Sequence, residues 1–195
     1  MGLALWLTVG RIFLSPIFLV VYLFYRQAGI SLVWLPFILI FLVALAELSD
    51  LFDGIAARKK NQVTELGKLL DPMADSIFRL SVFLTLTQGV VQLPMWIVLV
   101  FFYRDSIISL LRTVCALRGF TLAARMSGKI KAVVQCVAIL VILTLMIPYA
   151  FGFMSLAFFR DISFYTVLAA AAYSLFSGVE YLVANQSYIR KVLAK

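Results

Sequence analysis

Long apolar segments separated by short polar breaks make up nearly the whole chain. Each segment is close to the roughly 20 residues that a helix needs to cross the hydrocarbon core of a bilayer. The pattern therefore predicts an all-α polytopic membrane protein with six transmembrane helices. The six segments span residues 3–25, 32–57, 68–90, 93–117, 128–149 and 162–184. The predicted breaks include Arg26–Gly29, Arg58–Glu65, Gln88-Gly89, Arg118-Gly119 and Phe159-Arg160-Asp161.

The composition supports a chain that is solvated largely by lipid. Of its 195 residues, 64% are apolar and 13% are charged, whereas soluble domains are about 45–50% apolar and about 25% charged. The net charge is +8. Because the cations cluster at the ends of apolar segments, we expect membrane lipids and not nucleic acid as the partner. No repeat interrupts the pattern, so residues 1–195 are interpreted as one domain. Cys115 and Cys136 have no metal-ligand spacing and are predicted to be small core residues.

The distribution of cations predicts the orientation. Eleven basic residues fall in the two loops and the tail on one side, against Arg26 and Arg160 on the other. The positive-inside rule then places both termini and both basic loops in the cytoplasm. The eleven are Arg58, Lys59, Lys60, Lys68, Arg118, Arg125, Lys129, Lys131, Arg190, Lys191 and Lys195.

Arg11 is unusual because it lies within the first apolar segment, and an arginine at the bilayer centre is costly. Either the first half of this segment lies at the cytoplasmic interface, or Arg11 faces a polar cavity. A short interfacial entry that becomes the first span is the favoured interpretation.

Four aspartates form the main candidate site. Asp50 and Asp53 have i, i+3 spacing at the end of the second segment, and Asp71 and Asp75 have i, i+4 spacing at the start of the third. Each pair therefore projects from one face of its helix. Four crowded carboxylates need countercharge, and Mg²⁺, Mn²⁺ or Ca²⁺ would supply it. A site this acidic has the charge for two ions, which would clamp a pyrophosphate. The alternative is that these aspartates only cap helix ends or pair with nearby cations.

Small residues accompany the aspartates. Gly54 removes a side chain beside the predicted metal ligands, which lets a flat ligand approach the backbone. Ala57 lies one turn further on the same side as Asp53. Tight helix packing is an equally good explanation of both small residues. Arg58 is either a topology anchor or a phosphate contact.

Together these residues resemble the signature of the CDP-alcohol phosphotransferase family. The likeness extends over residues 5 to about 140, where Arg104-Asp105, Arg112 and Gly128–Gln135 are similar to the bacterial phosphatidylglycerophosphate synthase branch. The last segment carries no motif. The signature here is Asp50-x2-Asp53-Gly54-x2-Ala57-Arg58-x8-Gly67-x3-Asp71-x3-Asp75.

The resemblance implies a six-span, homodimeric enzyme of the inner membrane with a cytoplasmic active site. It implies transfer of a phosphatidyl group from CDP-diacylglycerol to glycerol 3-phosphate, with release of CMP. Asp50, Asp53, Asp71 and Asp75 would hold metal, and Asp75 would also be the catalytic base. Gly54 and Ala57 would border the cytidine, Arg58 the pyrophosphate, and Gly67 the nucleotide.

An acceptor phosphate would need cations, and Arg104, Arg112, Lys129 and Lys131 are the candidates. Arg104 lies mid-segment, so it is expected in a polar cavity or in a structural pair with Asp105. Other acceptors for the same chemistry are phosphatidylglycerol (giving cardiolipin), inositol phosphate and serine. A different class, a cation transporter, would place acids near the bilayer midplane on several helices.

Overall fold

The described part of the chain forms a bundle of six α-helices. The computed structural model describes residues 3–59, 65–119, 125–187 and 189, with side chains described for 10–49, 73–119, 125–187 and 189. The described residues contain no strand, so the all-α prediction is confirmed. The helices are α1 (Leu3–Phe24), α2 (Leu35–Lys59), α3 (Glu65–Thr85), α4 (Met95–Leu117), α5 (Met126–Ala150) and α6 (Leu156–Ala184).

The helices form a closed ring in an order that differs from the chain order. Going around the ring, α1 packs on α2, α2 on α5, α5 on α6, α6 on α4, α4 on α3, and α3 on α1. A further contact between α3 and α5 crosses the ring. The core between the helices contains fully buried aromatic side chains, among them Phe18, Phe78, Phe83, Phe101 and Phe159. The helices that carry the aspartates, α2 and α3, therefore both pack against α1 and α5.

By length and composition, two helices in the described part of the chain are apolar enough to cross a membrane. They are α5 and α6, with mean hydropathies of 2.6 and 1.5. The apolar stretches Gly10–Phe24 and Leu35–Ser49 are shorter. Six helices are thus confirmed, whereas the membrane crossing of each helix and the cytoplasmic position of both termini stay predictions.

Two predicted helix ends were wrong. The third segment was expected to continue to about residue 90, but α3 ends at Thr85, and the expected break at Gln88-Gly89 lies in the turn that follows. The chain then turns through Gly89, which has a φ of +66° and lies so close to Tyr22 that a Cβ would be 2.9 Å from the ring. The Tyr22 hydroxyl accepts hydrogen bonds from the backbone N–H groups of Val90 and Val91, both at 3.1 Å. These contacts stabilise the turn at the predicted Gln88-Gly89 break.

The break expected at Phe159-Arg160-Asp161 was also wrong, because these residues lie inside α6. The helix starts earlier because the Ser155 hydroxyl caps it, accepting a hydrogen bond from the backbone N–H of Phe158 at 3.3 Å. Arg160 stays within the helix by donating from Nε to the Val90 carbonyl at 2.9 Å. A charged residue therefore marks a contact between α6 and the turn after α3, and not a loop.

Candidate active site

The predicted aspartate site lies where α2 ends and α3 begins. Asp50 and Asp53 fall in the last part of α2, and Asp71 and Asp75 in the first part of α3, so the helical spacing of both pairs is confirmed. Asp75 is the one of the four whose side chain lies among the described residues. The side chains of Asp50, Asp53 and Asp71 lie outside them, as do the predicted nucleotide contacts Gly54, Ala57, Arg58 and Gly67.

The Asp75 carboxylate forms an ion pair with Arg11 of α1. The Arg11 guanidinium donates from Nη1 to Asp75 Oδ1, and the side chain of Arg11 is 3% exposed against 21% for Asp75. The helix α1 is continuous from Leu3 through Arg11. The structure shows the buried, polar environment of the alternative for Arg11, whereas the interfacial entry of the first half of the segment stays a prediction. The pair provides a countercharge for an aspartate of the predicted site, since a buried arginine needs an anionic partner.

A second ion pair, which the sequence analysis missed, lies one turn away. Arg79 follows Asp75 by four residues on α3, and Glu47 precedes Asp50 by three on α2. The Arg79 Nη1 atom lies 3.8 Å from Glu47 Oε1, with the Arg79 side chain 8% exposed. The sequence did contain a signal for Arg79. It follows Asp71 and Asp75 at a regular four-residue spacing, which puts all three on one helix face.

A polar network joins α4, α5 and α6 in the interior. The Lys131 ammonium donates to both carboxylate oxygens of Asp105 at 2.8 Å. Arg104 donates from Nη1 to Asp105 Oδ1 at 3.0 Å and from Nη2 to Ser177 Oγ at 2.8 Å. The expected Arg104–Asp105 pair is thus confirmed, but Lys131 shares its carboxylate. The single carboxylate of Asp105 is therefore the partner of two buried cations, Arg104 and Lys131.

Arg104 and Arg112 meet at a cavity between α3 and α4. The cavity has a volume of about 460 Å³, and its walls include Ser76, Asp105, Ser109 and both arginines. Arg112 donates from Nε to the Tyr181 hydroxyl at 3.2 Å, and its guanidinium carbon lies 5.5 Å from the centre of the Tyr181 ring. The α3 residues that line it are Met73, Ser76, Ile77 and Leu80, whereas the Asp75 side chain is paired with Arg11 of α1.

The remaining predicted cation, Lys129, is separated from this group. It is exposed on the first turn of α5, where it is not one of the cavity-lining residues. Near it, Glu180 of α6 accepts from Ser127 at 2.5 Å and pairs with Arg125 at 2.7 Å. The structure therefore joins Arg104 and Lys131 through Asp105, places Arg112 with Arg104 at the cavity, and leaves Lys129 at the surface.

Net charge over this group favours an anionic ligand. Arg104, Arg112 and Lys131 carry three positive charges, and within the described side chains Asp105 is the one carboxylate paired with them. The excess of two positive charges in a largely buried site is unfavourable unless an anion compensates it. A phosphate dianion has the complementary charge and the acceptor oxygens for arginine donors.

Comparison with known proteins agrees with this chemistry. The family model for CDP-alcohol phosphatidyltransferase matches residues 1–183. The CDP-diacylglycerol–glycerol-3-phosphate 3-phosphatidyltransferase of Bacillus subtilis (strain 168) is 34% identical over 178 residues, which are 86% of this chain and 90% of that protein. The protein of the same name from Escherichia coli (strain K12) is 33% identical over 138 residues, 68% of this chain and 71% of that protein.

A shorter match reaches a protein with a different name. The cardiolipin synthase (CMP-forming) of Streptomyces coelicolor (strain ATCC BAA-471 / A3(2) / M145) is 37% identical over 78 residues, 40% of this chain and 36% of that protein. The family match covers nearly the whole chain, whereas the names of the relatives differ. The chain belongs to the CDP-alcohol phosphatidyltransferase family.

Proposed function

We propose that this enzyme transfers the phosphatidyl group of CDP-diacylglycerol to glycerol 3-phosphate, giving phosphatidylglycerophosphate and CMP in phospholipid biosynthesis. The observation that carries the proposal is the cavity between α3 and α4, which Arg104 and Arg112 line. A phosphate on the acceptor would meet these guanidiniums. The names of the Bacillus subtilis and Escherichia coli relatives support the same substrates.

Two Mg²⁺ or Mn²⁺ ions would be held by Asp50, Asp53, Asp71 and Asp75. Carboxylate oxygens are the ligands that these hard cations prefer, and the helical spacing of both pairs fits a shared site. When bound, the ions would neutralise the pyrophosphate and the leaving CMP. The nucleotide would lie against Gly54 and Ala57, with Arg58 at the pyrophosphate and Gly67 at the start of α3.

Asp75 would also be the catalytic base. Arg11 engages Oδ1 of its carboxylate, and Oδ2 would be the atom that takes the proton of a hydroxyl. In the reaction, the acceptor oxygen bonds to the phosphorus that carries diacylglycerol, the bond from that phosphorus to CMP breaks, and the hydroxyl proton moves to Asp75. A base must reach the proton it removes, so orientation by Arg11 matters as much as basicity.

The acceptor phosphate would bind to Arg112 and Arg104. Lys131 would contribute positive charge from its position bonded to Asp105. Within the described residues, the side-chain hydrogen bond of Arg112 uses Nε. Its two terminal nitrogens can therefore donate to a phosphate as a fork. Lys129, exposed nearby on α5, would act at longer range by attracting the anion.

The enzyme would work in the inner membrane as a six-span homodimer with its active site toward the cytoplasm. Large apolar side chains on the outside of the bundle support a lipid environment, for example Phe41 at 65%, Leu110 at 64% and Phe176 at 61% exposed. Apolar surface on this scale is rare in soluble monomers. The cation bias of the loops supports the orientation.

The test is the release of CMP by purified protein from CDP-diacylglycerol with each acceptor in turn. We expect metal-dependent product with glycerol 3-phosphate and none with inositol phosphate, serine or phosphatidylglycerol. Asp75→Asn should abolish turnover with the helical circular dichroism unchanged. Product from another acceptor, and none from glycerol 3-phosphate, would show that the acceptor is misassigned.

A cardiolipin synthase is the second candidate, because the Streptomyces coelicolor relative carries that name. It predicts product with phosphatidylglycerol in the same assay. The cation transporter predicts ion flux in proteoliposomes without CMP release, and metal-dependent CMP release excludes it as the main activity.

A further inference from the structure

Helix α6, which carries no motif of the family signature, presents a buried polar stripe to the proposed acceptor site. Ser174, Ser177, Gly178 and Tyr181 are all buried in its second half. Their spacing of three or four residues puts them on one helix face, and their partners lie on α4. Three of the four contact the proposed phosphate-binding arginines.

Tyr181 holds Arg112 in two ways. Its hydroxyl accepts the hydrogen bond from Arg112 Nε at 3.2 Å, and its ring lies 5.5 Å from the guanidinium carbon. Tyr181 itself is 2% exposed, so it has little freedom to move. A hydrogen bond and a cation–π contact from one rigid side chain restrict the arginine to a narrow range of orientations.

Ser177 and Gly178 hold Arg104 in a similar manner. The Ser177 hydroxyl accepts from Arg104 Nη2 at 2.8 Å and donates to the Ser174 carbonyl at 3.0 Å. A Cβ on Gly178 would lie 3.1 Å from Arg104 Cγ, so the glycine makes room for the stem of the arginine. Both cavity arginines therefore take their orientation from α6.

We propose that Tyr181 and Ser177 are positioning residues that orient Arg112 and Arg104 toward the phosphate of the acceptor. This inference rests on the proposed function. A guanidinium that is held in place before the ligand arrives loses less conformational entropy on binding. The contribution of α6 should therefore appear in the affinity for the anionic acceptor and not in the affinity for the nucleotide-linked donor.

The experiment measures kcat and both KM values for Tyr181→Phe, Tyr181→Leu and Ser177→Ala in detergent micelles. Loss of a hydrogen bond to a charged group should raise KM for glycerol 3-phosphate about tenfold in Tyr181→Phe. Tyr181→Leu, which also loses the ring contact, should show a larger increase, about thirtyfold. The KM for CDP-diacylglycerol should stay within about twofold of the wild type.

Tyr165→Phe is the matched control, because Tyr165 is on the same helix and 66% exposed; it should leave every parameter unchanged. Equal increases in both KM values, or a lower melting temperature with an unchanged KM for glycerol 3-phosphate, would overturn the positioning role while leaving the proposed function intact. If Tyr181→Leu does not fold, Tyr181→Phe decides the question. Absence of wild-type turnover with glycerol 3-phosphate would overturn both proposals.

Discussion

Removal of the Asp105 carboxylate should destabilise the bundle more than the loss of any other described carboxylate. Asp105 is 12% exposed at its side chain and accepts three hydrogen bonds, two from Lys131 and one from Arg104. Lys131 is 4% exposed, so Asp105→Ala would leave its ammonium buried without a countercharge. Breaking a buried ion pair from one side costs about 3–5 kcal/mol, and we expect a loss of unfolding free energy in that range.

The double variant Asp105→Ala/Lys131→Met separates lost attraction from an uncompensated buried charge. Replacing a whole buried pair by apolar groups is often close to neutral. The double variant should therefore regain at least half of the stability that the single variant loses. Arg104 keeps its hydrogen bond to Ser177 in both variants, which limits the remaining cost.

The measurement is equilibrium unfolding in detergent micelles, followed by far-ultraviolet circular dichroism. Asp161→Ala is the control, because Asp161 is exposed near the start of α6, and its loss should cost less than about 0.5 kcal/mol. The reasoning is refuted if Asp105→Ala has the same free energy of unfolding as the wild type, or if the double variant is less stable than the single variant.

Three further predictions follow from the packing and from the proposed metal site. Tyr22→Phe should cost about 1–3 kcal/mol, because two backbone N–H groups in the turn after α3 lose their acceptor; an unchanged unfolding curve would contradict this. Phe83→Ala should cost about 3–5 kcal/mol, since Phe83 is fully buried and stacks on Phe101 at 4.7 Å, whereas exposed Phe13→Ala should cost far less in the same titration. Chelation of divalent metal should stop CMP release, and added Mg²⁺ should restore it; full activity after exhaustive chelation would remove the metal from the mechanism.

The sequence was sufficient to predict the number and the type of the helices. Apolar runs of roughly 20 residues have few alternatives to helix in lipid, because every backbone polar group must bond within its own segment. The sequence also predicted that Asp50 and Asp53 share a helix face, as do Asp71 and Asp75. The helical period assigns residues to a face without reference to any partner. The resemblance to the family rested on the same spacing, and the family match confirms it.

The sequence was a poorer guide to helix ends and to buried charges. Arg160 was interpreted as part of a loop, although it bonds to a turn 70 residues earlier in the chain. For Arg11 the sequence left two interpretations, an interfacial entry or a polar cavity, and its pairing with Asp75 from another helix supports the polar cavity. In both cases a charged residue in an apolar run had two explanations, exposure to water or a distant partner, and local pattern does not distinguish them.

What the amino-acid sequence determined by itself is the set of helices and the faces on which their polar residues lie. Only the tertiary structure decided which faces meet: α6 next to α4, Tyr181 under Arg112, and Lys131 sharing Asp105 with Arg104. The physical reason is that these helices are apolar nearly all round, so hydrophobic burial selects no unique neighbour. Neighbours are selected by side-chain fit and by the pairing of buried charges, which depend on residues far apart in the chain.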